Sequence, residues 1–183
     1  MKKRINPNRV PAVRSREEAR QCLKAMTREQ DLVAWMAMLA AITGLGETTR
    51  DSLLELHRQV EDYPKKLTGF GAVQALLEEI NALTGGHEAV EPIRTDGLRT
   101  QADFLRFQRK TRRNIVLMDF CMIAEPILRL GLMEPDTFAG IWKRAVSNFE
   151  EIENGQIRIR DIQEMLQEEY GIRLGYSARG VQL

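Results

Sequence analysis

Apolar residues recur at helical spacing along almost the whole chain. In LVAWMAMLAAI at 32–42, Trp35, Met38, Leu39 and Ile42 fall at i, i+3, i+4 and i+7, the signature of a buried helix face. The Gly44-Leu45-Gly46 run stops that helix. Leu53, Leu56 and Val60 predict an inward face for a helix over 48–62, which Pro64 ends. Val73, Leu76, Leu77, Ile80 and Leu83 predict another over 69–83, closed by Gly85-Gly86. A long helix follows Thr100 to about residue 130. Pro126 is expected to kink or interrupt it, because proline lacks the amide and clashes with the preceding turn. Pro135 and Asp136 open a helix over 135–153, and Ile162, Met165 and Leu166 face inward from one over 160–170, with Gly171 at its end. At the front, SREE at 15–18 is a capping box. TREQ at 27–30 repeats it, so either a new helix starts at Thr27 or a longer one continues.

Alternation of period two is confined to IRIR at 157–160, where NGQIR reads as a turn with a short extended stretch. The predicted fold class is therefore all-α. The tail GYSARGVQL at 175–183 reads as loosely ordered.

The helices also fall into two similar series. LGETTRDSLLEL at 45–56 resembles LGLMEPDTFAGI at 130–141, and VQALLEE at 73–79 resembles IQEMLQE at 162–168. Self-similarity at a long period points to a repeated unit. The expected architecture is a helical bundle of two tandem three-helix units, duplication being one origin and the shared Leu/Glu pattern of amphipathic helices the other. The boundaries read as a basic arm at 1–14, unit one at 15–84, a linker at 85–97, unit two at 98–174 and the tail.

Composition adds limits. A chain of 183 residues with 43% hydrophobic and 29% charged side chains has material for one core or two small ones. Net charge is +1, so no global field draws it to nucleic acid or membrane. Cys22 and Cys121 belong to no metal-ligand spacing and read as buried, reduced thiols. The opening MKKRINPNRVPAVR has no apolar stretch after it, and 32–42 is too short to span a bilayer. A cytoplasmic location is the expectation.

Local charge is less even. RTQADFLRFQRKTRR at 99–113 carries Arg99, Arg106, Arg109, Lys110, Arg112 and Arg113 against Asp103. On a helix, Phe104, Phe107, Thr111, Ile115, Met118 and Met122 share one face, and Arg106, Arg109, Lys110 and Arg113 gather on the other. Clustered like charges repel by about 0.2–0.5 kcal/mol per neighbouring pair, and a polyanion would relieve that. Lys2, Lys3 and Arg4, with Arg9 and Arg14, add to the same patch. The alternative is a solvated or internally paired face, with EEIE at 150–153 and QEEY at 167–170 as available partners. No helix-turn-helix pattern accompanies the cluster, which points to DNA or RNA backbone contact and not base reading.

Catalytic patterns are missing from the sequence. His57 and His87 stand outside any HExxH spacing, and no GxSxG, GxGxxG or GxxxxGK[ST] occurs. His57 aligns with Trp142 in the second series, which favours a packing position. A non-enzyme with no catalytic residue, metal or cofactor is expected.

The segment IWKRAVSNFEEIENGQIRIRDIQEMLQEEYGIRL at 141–174, and the opening NPNRVPA at 6–12, resemble small helical proteins of phages and mobile elements of clostridial-type bacteria. The likeness covers about a quarter of the chain and carries no catalytic motif. It implies a mobile-element accessory protein, a class that includes anti-CRISPR inhibitors of RNA-guided nucleases. The expected function is an inhibitor or regulator that binds a protein or nucleoprotein target through 99–113 and the basic arm. The alternatives are a non-specific DNA-binding protein of the element and a structural or scaffold homo-oligomer.

Overall fold

The computed structural model describes residues 16–45, 48–64, 67, 69–92, 101–177 and 180–183, leaving out the side chains of 16–28, 101, 104, 176, 177 and 180. Six helices hold 76% of the described residues. The all-α bundle is as the apolar spacing predicts.

Helix α1 spans Arg16–Thr43 without a break at Thr27. Its stretch Val33–Leu39 is buried on every side, as befits a helix whose apolar residues are not confined to one stripe. It ends where Gly44 and Leu45 turn back, with the Gly44 amide donating to the Ala40 carbonyl at 3.1 Å. The capping box predicted at Ser15 and the thiol of Cys22 lie outside the described residues.

α2 (Arg50–Asp62) starts at a reciprocal cap. The Ser52 amide donates to Thr49 Oγ1 at 3.2 Å, and the Thr49 amide donates to Ser52 Oγ at 3.0 Å. α3 (Phe70–Thr84) buries Val73, Leu76, Leu77 and Ile80. Leu83 is 44% exposed, against the inward placement its spacing suggests. The inward position of that last turn falls to Thr84, one residue on.

α4 (Gln101–Leu130) runs continuously through Pro126, which corrects the expected interruption. Proline there forgoes one helical amide. Its burial among the apolar residues of the bundle compensates. The helix closes on Gly131 at φ 63°, where the Leu132 amide donates to the Ile127 carbonyl at 3.0 Å and the Gly131 amide donates to Leu128. α5 (Pro135–Glu153) ends in the same way at Gly155. α6 (Ile159–Tyr170) already includes Ile159 and Arg160, so only the first half of IRIR lies in the turn.

The tail departs most from expectation. Gly175–Ser177 and Gly180–Gln182 pair as an antiparallel hairpin, β1 and β2. It is ordered because Val181 is buried in the core and its carbonyl lies 3.1 Å from His57 Nε2.

One apolar core joins the two series. α1 lies against α5, α4 and α6, while α3 packs on α5 and α4, and α2 on α4. Trp142 sits among Phe120 and Phe138, with ring centroids 5.8 and 6.1 Å away. Asn148 Nδ2 on α5 donates to the Ala37 carbonyl of α1 at 3.1 Å. Matched positions of the two series share burial: Leu53 with Phe138, Val73 with Ile162, and Leu77 with Leu166. That is the outcome for any pair of amphipathic helices laid on a common core.

Candidate interaction surface

The first turns of α4 stand apart from the rest of that helix. From Asn114 onward the inward stripe is covered by neighbouring helices, and Leu117, Phe120, Cys121 and Ala124 are buried. Before Thr111, by contrast, Ala102, Leu105, Arg106, Arg109 and Lys110 are exposed. Leu105, an apolar residue at 49% exposure, lies one turn from Arg109 and beside Arg106. Met118 and Met122 do not continue a buried face with Thr111 and Ile115, since both are more than a third exposed. The covering helices reach α4 from another side there, and Met122 instead borders a cleft.

The basic residues separate into paired and open ones. Arg113 Nη2 donates to Glu88 at 2.5 Å and its Nη1 to Glu150 at 3.0 Å. Lys110 pairs with Glu91. Glu150 belongs to the EEIE segment, so part of the cluster is neutralised internally. Arg106 and Arg109 form no ion pair with a described residue and point to solvent. Arg112 is half-buried, with its Nε lacking a hydrogen-bond partner. Arg109 and Arg113 also overlook a shallow depression of about 330 Å³ bordered by Phe149 and Glu153. Arg99, Lys2, Lys3 and Arg4 lie outside the described residues.

The acidic partners Glu88 and Glu91 are held by a strap, residues 86–92, in what the sequence reads as the start of a linker. Two asparagines grip its backbone. Asn81 Nδ2 donates to the Glu88 carbonyl at 2.7 Å, while the Glu88 amide donates to Asn81 Oδ1 at 3.0 Å. Asn114, itself 4% exposed, repeats the device on Glu91: its Oδ1 accepts from the Glu91 amide at 3.3 Å and its Nδ2 donates to the Glu91 carbonyl. Val90 between them is buried. Each asparagine thereby mimics a strand neighbour for a stretch of chain that has none. Sequence reasoning missed Asn81, Asn114, Glu88, Glu91 and Leu105. Only Leu105 left a local signal, as an apolar residue on the charged side of the helix.

A second concavity lies between α1, α2 and α4. It encloses about 240 Å³, with Trp35, Tyr63, Leu67 and Met122 in its walls and Asp31, Glu61, Asp119 and Glu125 around it. Beside it, Trp35 packs on His57 with ring centroids 4.8 Å apart. Burial pulls the His57 pKa below the ordinary histidine value, against the opposing pull of Glu61 and of the Val181 carbonyl. His57 thus packs between a helix and the hairpin. Cys121 is buried, and burial pushes its thiol up to about 12, with the charges of Asp119 and Glu125 adding to the shift. Among the described residues, no three histidine, cysteine or carboxylate side chains converge as a metal-ligand set, and no helix is long and apolar enough to cross a membrane.

Comparison with protein-family models, curated proteins and solved structures found no match.

Proposed function

We propose that the protein is a non-enzymatic, cytoplasmic binding protein that occupies a protein or nucleoprotein target through the first turns of α4. The observation that carries this reading is the grouping of Leu105 with the open guanidiniums of Arg106 and Arg109 on a helix whose other cations are largely committed inside the molecule. Protein interfaces are enriched in arginine around apolar anchors. Leu105 precedes the two arginines and sets an exposed apolar side chain beside them. The resemblance of 141–174 to mobile-element proteins directs the search to nucleoprotein targets, RNA-guided nucleases among them.

The test is capture from host lysate, with and without nuclease, by the native protein and by R106E/R109E. The native protein is expected to retain a discrete partner that resists nuclease and that the double variant loses. Capture unchanged by R106E/R109E would overturn the assignment of the surface. Loss of all capture on nuclease treatment would favour the nucleic-acid reading instead.

A further inference from the structure

The strap raises a question about the α4 surface that its exposure alone does not. Lys110 and Arg113 belong to the same basic face as Arg106 and Arg109, yet Glu91, Glu88 and Glu150 already occupy them. The Lys110 and Arg113 side chains are 44% and 40% exposed, and Glu91 and Glu150 are at 64% and 54%, while Glu88 is at 18%. Exposed pairs of this kind contribute little to stability. Holding the fold together is therefore a weak reason for them. The asparagine brackets do that separately, through backbone atoms.

We propose that the strap is a built-in acidic competitor, which keeps Lys110 and Arg113 from the phosphates of free nucleic acid and leaves Arg106, Arg109 and Leu105 for a protein surface. The inference rests on the reading of the α4 surface above and adds its selectivity. A nucleic acid laid on this face meets two open cations and, beside them, carboxylates fixed in place. Binding a phosphate at Lys110 or Arg113 requires the cation to leave a partner that cannot diffuse away. The counterion release that drives nucleic-acid binding is correspondingly small. A protein partner reading Leu105, Arg106 and Arg109 loses nothing, because those residues are not paired with the strap.

The side chains of Glu88 and Glu91 are separable from the strap itself, since the brackets hold only their amides and carbonyls. E88Q/E91Q therefore frees Lys110 of its carboxylate and leaves Arg113 with Glu150 alone, without releasing the chain. Binding of a short fluorescent DNA duplex is measured by anisotropy across a salt series, with circular dichroism confirming the fold of each variant. For E88Q/E91Q, the slope of log affinity against log salt is expected to steepen by roughly 0.9, the share of the one cation, Lys110, left without a carboxylate. E168Q/E169Q makes the same change in net charge at exposed positions of α6 and is expected to keep the native slope. An unchanged slope in a folded E88Q/E91Q, or equal steepening in E168Q/E169Q, would overturn the proposal. The surface assignment fails on a different readout, the capture of a nuclease-resistant partner by R106E/R109E, so the two are told apart.

Discussion

At the residue scale, one half-buried and one buried group make the chemistry of the interior measurable. His57 has its pKa lowered chiefly by burial. The unfolded chain therefore takes up a proton at His57 at higher pH than the folded protein does. The stabilisation is complete above the ordinary histidine value of about 6.5 and is lost as pH falls below it toward the folded value. Melting temperature should decline on acidification below that point. His57→Phe, which keeps a ring against Trp35, should flatten the decline while lowering stability at neutral pH through the lost bond to Val181. Cys121, with its thiol held at about 12, is protonated at neutral pH and shielded. Alkylation mapped by mass spectrometry should spare Cys121 in the native protein and label it rapidly in denaturant.

At the element scale, the strap depends on neutral hydrogen bonds at least as much as on charge. Asn114→Ala removes both part-buried bonds to the Glu91 amide and carbonyl. The expected cost is about 1–3 kcal/mol, read by urea denaturation, with faster proteolysis within 86–92 as the local sign. Asn114→Asp can still accept from the amide but cannot donate to the carbonyl, and should be nearly as damaging. Several helix ends were legible in the sequence because their causes are local: Pro135 at a first turn, and glycine at 44, 85 and 171. The strap was not, because Asn81 and Asn114 reach residues 7 and 23 positions away, and nothing beside either asparagine in the chain announces that. Nor did helical periodicity reveal which flank of α4 the other helices cover. Met118 and Met122 face outward for that reason. The pairing of Arg113 with Glu150 was within reach as a complementarity of charge, though not as a geometry.

For the whole molecule, the two helical series share a single core, so they should unfold together. Trp35 and Trp142 are the only tryptophans, one in each series. Variants that keep one of them, W142F and W35F, should each show a fluorescence transition coincident with loss of far-ultraviolet dichroism. Separate transitions would mean that the halves are independently stable. Truncating the more central ring, Trp142→Ala, should cost about 3–5 kcal/mol and lower the midpoint without splitting the transition. The hairpin belongs to the same unit through Val181, which explains why the tail, unremarkable in sequence, is ordered.

The bond from Asn148 to Ala37 spans 111 residues, and that separation has a consequence for synthesis. At a ribosomal rate of about 5–20 residues per second, α1 emerges roughly 6–20 seconds before the helix that covers it. Until α4 emerges, the most apolar segment of the protein has neither α4 nor α5 to rest on. Slow translation of the middle of the message would prolong the period in which that uncovered segment can aggregate.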